Sequence, residues 1–298
     1  MTFCTKRQLK YLFFALRPTQ WVKNFIIFLP VIFGRQLFNL SVLFRASLFF
    51  IIFCVASSAI YLINDIVDLK KDKTHPLKRL RPLASGKITV LEAYIVALFL
   101  AGVAIASSLA ITLPFAVLII IYLLFNLFYS TILKNVVIID VLCIGFFFLL
   151  RIIVGSLAAR VMVSHWIIFC TVFLALFIGF NKRRCELKLL KSRATDHRLV
   201  LANYDPYFID QMISVITASM VITYTLYTVD ATTVRNLGSD HLMYSIPFVY
   251  YGVFRYIYLV QKRGRGGDPI QVLLSDDKMQ LNLILWVVVC IAVIYFKI

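Results

Sequence analysis

Nine long apolar stretches divide this chain, and together they leave little choice of fold. They fall at about residues 22–38, 43–63, 90–108, 112–130, 137–159, 165–180, 212–229, 244–261 and 280–296. Most have the roughly 17 to 25 residues that a helix needs to cross a bilayer. Inside hydrocarbon every backbone N–H and C=O must be satisfied within the protein, which a helix does by itself. The expected fold class is therefore all-α: a polytopic membrane protein with nine transmembrane helices, one domain over residues 1–298. With 61% hydrophobic and only 15% charged residues, a water-soluble domain is excluded. Pro30 and Gly34 interrupt the first stretch, and the sixth is short. Residues 7–16 read as a short amphipathic helix lying on the membrane surface, stopped by Arg17-Pro18. No cleavable signal peptide is expected, because the first 20 residues lack an apolar core followed by a small-residue cleavage site.

A net charge of +17 would suit nucleic acid, but the positions of the basic residues exclude it. Most lie on one side of the nine stretches, which the positive-inside rule makes cytoplasmic together with the N-terminus. One such loop carries Lys70, Lys71, Lys73, Lys78, Arg79, Arg81 and Lys87; a second carries Lys182, Arg183, Arg184, Lys188, Lys191, Arg193 and Arg198. The opposite side has Arg35, Arg45, Arg160, Arg235 and Lys297. Two loops this basic exceed what orientation requires, so an anionic ligand at the inner face is expected.

The first loop opens on Asn64-Asp65-x-x-Asp68-x-x-x-Asp72. On a helix turning about 100° per residue, the carboxylates of 65, 68 and 72 fall near 0°, 300° and 340°, on one narrow face. Close carboxylates raise one another's pKa, so ionised Asp residues at this spacing imply a cation. Mg²⁺ fits, since it takes hard oxygen ligands and is usually shared between one or two carboxylates and substrate phosphates. Acids here could also cap the helix and pair with Lys70, Lys71 and Lys73, yet three on one face beside a basic loop exceed what capping needs. The second loop begins at Asn181 much as the first begins at Asn64, but its early acid is Glu186 alone, beside Lys182, Arg183 and Arg184. One loop thus reads as built for metal and the other for bare phosphate.

Asp140 and Arg151 are eleven residues apart, about 20° around a helix and about 16 Å along it, so both should face one polar cavity. Arg255 sits within the eighth stretch, facing such a cavity or snorkelling to the inner face. The cysteines lie mostly in apolar stretches with no C-x-x-C pair and read as small core residues. His75, His165, His197 and His241 are scattered without ligand spacing, which argues against zinc.

The acidic motif in a nine-span chain resembles the UbiA superfamily of intramembrane prenyltransferases, and five segments resemble its decaprenyl-phosphate phosphoribosyltransferase branch. They are Arg17-Pro18-x-Gln20-Trp21-x-Lys23-Asn24; His75-Pro76-x-Lys78-Arg79-x-Arg81-Pro82 with Gly86; Tyr129-Ser130 to Lys134 with Asp140, Arg151 and Gly155; Asn181-Lys182-Arg183-Arg184-x-Glu186 through His197-Arg198; and Phe254-Arg255-Tyr256 with Gly267-Asp268-Pro269. The second loop departs from the aromatic prenyltransferases by lacking a second D-x-x-x-D. The resemblance implies a UbiA-like bundle in a bacterial-type inner membrane. The implied reaction is transfer of phosphoribose from 5-phosphoribosyl 1-diphosphate to a polyprenyl phosphate; the alternative is transfer of a prenyl chain to an aromatic acceptor. Under that resemblance Asp65, Asp68 and Asp72 would hold Mg²⁺, with Asn64 beside them. Lys78, Arg79 and Arg81 would assist on the diphosphate. Lys182, Arg183 and Arg184 would take the 5-phosphate or the acceptor phosphate, with Glu186 on a ribose hydroxyl or as their orienting partner. Lys23, Lys134, Asp140, Arg151 and Arg198 complete the expected substrate contacts. The partners are the two substrates and the bilayer, with a homo-oligomer left open.

Overall fold

The computed structural model describes residues 6–190, 201, 203–263, 272–273 and 275–296, and among them every regular element is helical. In chain order these are α1 (Lys6–Ala15), a 3₁₀ helix (Pro18–Phe28), α2 (Leu29–Phe33), α3 (Leu40–Val67), α4 (Leu69–Thr74), α5 (Val90–Ile111), α6 (Leu113–Thr131) and α7 (Ile139–Ala159). They continue with α8 (His165–Leu190), α9 (Pro206–Val229), α10 (Ala231–Leu237), α11 (Ile246–Arg263) and α12 (Asp277–Phe296). Short 3₁₀ turns at Lys78–Leu80, Leu133–Asn135 and His241–Ser245 lie between them.

Seven of these, α3, α5, α6, α7, α8, α9 and α12, are long and apolar enough to cross a membrane. The sequence places nine. The first expected span is instead the 3₁₀ helix followed by the five-residue α2. Pro30 has no N–H to continue an earlier helix and sits in the first turn of a new one. Eleven 3₁₀ residues rising about 2 Å each and five α residues rising about 1.5 Å each cover about 30 Å, so the broken segment still has the reach of a span. The eighth, α11, is helical, but its tyrosines and Arg255 dilute its apolar character.

Length also places the acidic motif. At about 1.5 Å per residue the 28 residues of α3 span about 42 Å, some 12 Å more than a hydrocarbon core, so Asn64 and Asp65 emerge into the polar layer. α7 is the shared wall of two cores. Its Phe147, Leu150 and Val154 pack with Ile27, Phe49, Phe53 and Phe115, while its Val141 joins Phe177, Phe180 and Ile209. The 3₁₀ segment presses directly on α7: a Cβ added at Gly155 would collide with the Ile27 carbonyl. One turn earlier, Arg151 Nε donates to Asn24 Oδ1 at 2.8 Å and so holds the same segment.

Candidate active site

The three motif carboxylates do not share one partner. α3 ends at Val67, Asp68 caps it with φ −91° and ψ 3°, and α4 restarts at Leu69, with the Asp68 N–H on the Asn64 carbonyl and the Asp72 N–H on the Asp68 carbonyl. Asp65 and Asp72 are bridged by one arginine. Arg81 Nη1 donates to Asp65 Oδ1 at 3.1 Å and to Asp72 Oδ2 at 2.5 Å, and Arg17 also donates to Asp65 Oδ1. Asp68 has a different partner, accepting from Lys134 Nζ at 2.7 Å. Among the described residues no three His, Cys, Asp or Glu side chains come together closely enough to hold a metal ion, which corrects the expected three-carboxylate cluster. The pair Asp65 and Asp72, joined through Arg81, is what the fold preforms. Burial pushes the Asp72 carboxyl above its ordinary pKa despite the opposing charges of Arg81 and Lys78, with Asp65 adding to the rise.

The donor set suits Mg²⁺ nonetheless. All candidate ligands are hard oxygens, and Mg²⁺ commonly takes only one or two carboxylates. The guanidinium and ammonium groups on Asp65, Asp72 and Asp68 occupy the positions where a cation is favourable.

The basic residues divide sharply. Lys182, on the last turns of α8, lies within electrostatic range of Lys23 from the 3₁₀ segment, Lys78 from the first loop, Arg183 and Glu186. Three lysines from three separate elements thus share one electrostatic neighbourhood with Arg183 and the Glu186 carboxylate. Arg183 is fully buried, donates from Nε to Asp140 Oδ2 at 2.6 Å and also pairs with Glu186. Arg184 faces outward and grips Asp210 through Nε and Nη2 at 2.7 and 2.9 Å. Both arginines expected to contact phosphate are thus engaged by acids, Arg183 by Asp140 and Glu186 and Arg184 by Asp210.

Asp140 and Arg151 do not line a common cavity. Asp140 is wholly buried between Arg183 and Tyr204, whose hydroxyl donates to Oδ1 at 2.7 Å. Arg151 lies in the other core, bound to Asn24 and to the Phe147 carbonyl at 2.6 Å, with the rings of Phe53, Tyr122 and Phe148 within 4.9–5.5 Å. Arg255 likewise pairs with Asp276, at 2.8 Å. Asn64 accepts from the Ser130 hydroxyl, Arg79 is exposed, and Arg198 lies outside the described residues, as do His197 and Gly267-Asp268-Pro269. Cys54, Cys143, Cys185 and Cys290 are buried as thiols outside any disulfide, as small core residues should be.

Two residues at the site carry roles that the sequence did not suggest. Arg17 precedes Pro18, which disfavours α-helical geometry, and its φ of 55° turns the chain so that the side chain meets Asp65 and lies 5.4 Å over Tyr61. The Arg-Pro dipeptide is a signal for that break, though not for the partner. Tyr204 had no signal at all. Burial and its hydrogen bond to Asp140 hold its hydroxyl above the usual pKa, so it remains a donor.

Away from these charges, an apolar cavity of about 250 Å³ lies among α2, α8, α9, α11 and α12, walled by residues such as Phe33, Leu174, Met220, Val253 and Trp286.

A helical bundle with an acidic loop and a converging basic loop at one end defines a class, and the comparisons agree on it: residues 27–284 match the UbiA prenyltransferase family, and the chain belongs to that family. It is an integral membrane protein. The chain is 32% identical over 286 residues to a decaprenyl-phosphate phosphoribosyltransferase of Corynebacterium glutamicum, covering 94% of this chain and 86% of that one. It is 30% identical over 286 residues to the protein of the same name from Mycobacterium tuberculosis, covering 95% and 93%. In fold it is similar to a UbiA homolog from Archaeoglobus fulgidus bound to GPP and Mg²⁺, with a TM-score of 0.73 at 20% identity over 95% of this chain and 99% of that one.

Proposed function

We propose that this protein transfers the 5-phosphoribosyl group from 5-phosphoribosyl 1-diphosphate to a polyprenyl phosphate, releasing diphosphate. The observation that carries the reading is the pairing of one aspartate loop with a second loop whose only early acid is Glu186, beside three basic residues. Lys23 and Lys78 lie within electrostatic range of Lys182, and the second loop contains no D-x-x-x-D. A donor with phosphate at both ends of a ribose matches an acidic site beside a lysine site. The names of the relatives support the same substrates.

In the proposed reaction an acceptor phosphate oxygen attacks ribose C1. The C1–O bond breaks, and its electron pair leaves on the diphosphate. Mg²⁺ held by Asp65 and Asp72, with Asp68 as a further ligand, would supply charge neutralisation to that leaving group. Arg81 and Arg17, drawn from the carboxylates, are placed to bond the remaining diphosphate oxygens. Lys182 with Lys23 and Lys78 binds the 5-phosphate or the acceptor phosphate. That acceptor is already ionised at neutral pH, so no general base is required. Its apolar tail would extend into the bilayer, with part of it against the cavity walled by α2, α8, α9, α11 and α12. The site faces the cytoplasm, as the distribution of Lys and Arg favours. Exposed Leu9, Phe13 and Phe14 set α1 on the membrane surface.

Purified protein with Mg²⁺ and a polyprenyl phosphate should release diphosphate from 5-phosphoribosyl 1-diphosphate. Release only from a prenyl diphosphate with an aromatic acid would replace this reading with prenyl transfer. Absence of release from both pairs would remove it.

A further inference from the structure

Ile138 is held in a conformation that its side chain opposes. Its φ of 68° and ψ of −47° form a γ-turn closed by the Ile139 N–H on the Val137 carbonyl at 2.8 Å. Positive φ is costly for a β-branched residue, and this turn type is a rare one. Burial does not explain it, because the Ile138 side chain is 42% exposed. The restraint comes from a distant element. The Ile138 N–H donates to the Tyr204 hydroxyl at 2.7 Å, and that hydroxyl donates onward to Asp140 Oδ1 at 2.7 Å. Asp140 Oδ2 in turn accepts from Arg183, next to Lys182.

The turn lies between two parts of the site. Four residues before it, Lys134 reaches Asp68 from the short 3₁₀ turn Leu133–Asn135. Two residues after it, Asp140 anchors Arg183. Strained backbone persists only where its surroundings over-determine it, and such strain gathers at functional sites. We propose that Tyr204 is a positioning residue. Its hydroxyl, bonded on both sides, holds the strained turn at Ile138 and thereby sets Lys134 on Asp68 in register with the Arg183–Lys182 end of α8. The catalytic consequence rests on the phosphoribosyl reading above; the coupling itself does not.

Tyr204→Phe removes the hydroxyl and keeps the ring beside Phe180 and Phe208, so folding should survive. Two readouts follow. Loss of a hydrogen bond to a charged group corresponds to about a tenfold fall in kcat/KM for 5-phosphoribosyl 1-diphosphate, expected mainly in KM. Amide hydrogen exchange should accelerate about tenfold over residues 133–140, including the bonded amides of Asn135 and Val136 well before the turn. Glycine accepts positive φ without strain, so Ile138→Gly in the Tyr204→Phe background should restore most of the kcat/KM and slow exchange at 133–136 again, although the 138 amide stays unprotected. A Tyr204→Phe protein with unchanged exchange at 133–136 overturns the coupling whatever substrate the protein uses. Faster exchange with unchanged kcat/KM, or no rescue by glycine, overturns the positioning role. If the wild-type protein fails to turn over this donor, the phosphoribosyl reading falls and the exchange arm alone decides the coupling.

Discussion

Arg81 Nη1 sits on Asp65 Oδ1 and Asp72 Oδ2, the oxygens that a divalent cation would use, and this makes Arg81→Gln informative in two opposite directions. The substitution removes a unit positive charge from beside the metal position. Two unit charges 4 Å apart interact by about 4 kcal/mol at an effective dielectric near 20. The Arg81 side chain is 27% exposed, so solvent screening reduces this to about 1.4 kcal/mol, a tenfold change in Kd. Asp65 keeps Arg17, so its buried carboxylate does not lose all compensation. Metal should therefore bind the substrate-free variant about tenfold more tightly.

Turnover should move the other way. If Arg81 passes to the diphosphate when the metal arrives, its loss removes two charge-assisted hydrogen bonds. Screened to about 1.4 kcal/mol each, they amount to about a hundredfold fall in kcat/KM. Mn²⁺ binding followed by electron paramagnetic resonance, with diphosphate release measured on the same preparation, tests both signs. Weaker or unchanged Mn²⁺ binding accompanying the lost activity would refute the exchange of partners, since it would mean that Arg81 only organises the loop.

Lys182→Met should raise KM for 5-phosphoribosyl 1-diphosphate or the polyprenyl phosphate about tenfold in steady-state assays, while Arg184→Met, which breaks an exposed pair with Asp210, should change neither by more than about twofold. Asp72→Asn tests the buried carboxyl. A group whose folded pKa is raised contributes stability below its unfolded pKa, near 3.9, and loses that contribution as pH rises through the folded value, so at pH 7 the ionised side chain weakens the metal-free fold. With chelator present, Asp72→Asn should leave Tm unchanged or raise it by about 2–4 °C, and it should abolish part of the Mg²⁺-induced stabilisation that wild type shows. A lowered Tm in chelator would contradict the sign. Gly155→Ala forces a methyl group into the Ile27 carbonyl, so the 3₁₀ segment bearing Arg17 and Lys23 must shift; activity should fall at least tenfold while the thermal transition stays cooperative.

What the sequence could and could not reveal follows from the range of the interactions involved. Apolar length reports on a single segment, so α3, α5, α6, α7, α8, α9 and α12 were legible, as was the acidic motif that ends α3. Pro30 was visible as an interruption, but the choice of a 3₁₀ path depends on how closely Ile27 can approach Gly155, 128 positions away. Helical phase could not name the partner of Asp68 for a related reason. A periodicity argument describes one helix, whereas Lys134, 66 positions distant, bonds Asp68 where α3 ends and α4 restarts. The arginines make the same point most sharply. Arg183 and Lys182 are adjacent and alike in charge, yet Asp140 engages Arg183, while Lys182 shares Glu186 and lies within range of Lys23 and Lys78. A basic run therefore states how much positive charge a loop carries, and the acids reaching it from other helices decide how each member of the run is partnered.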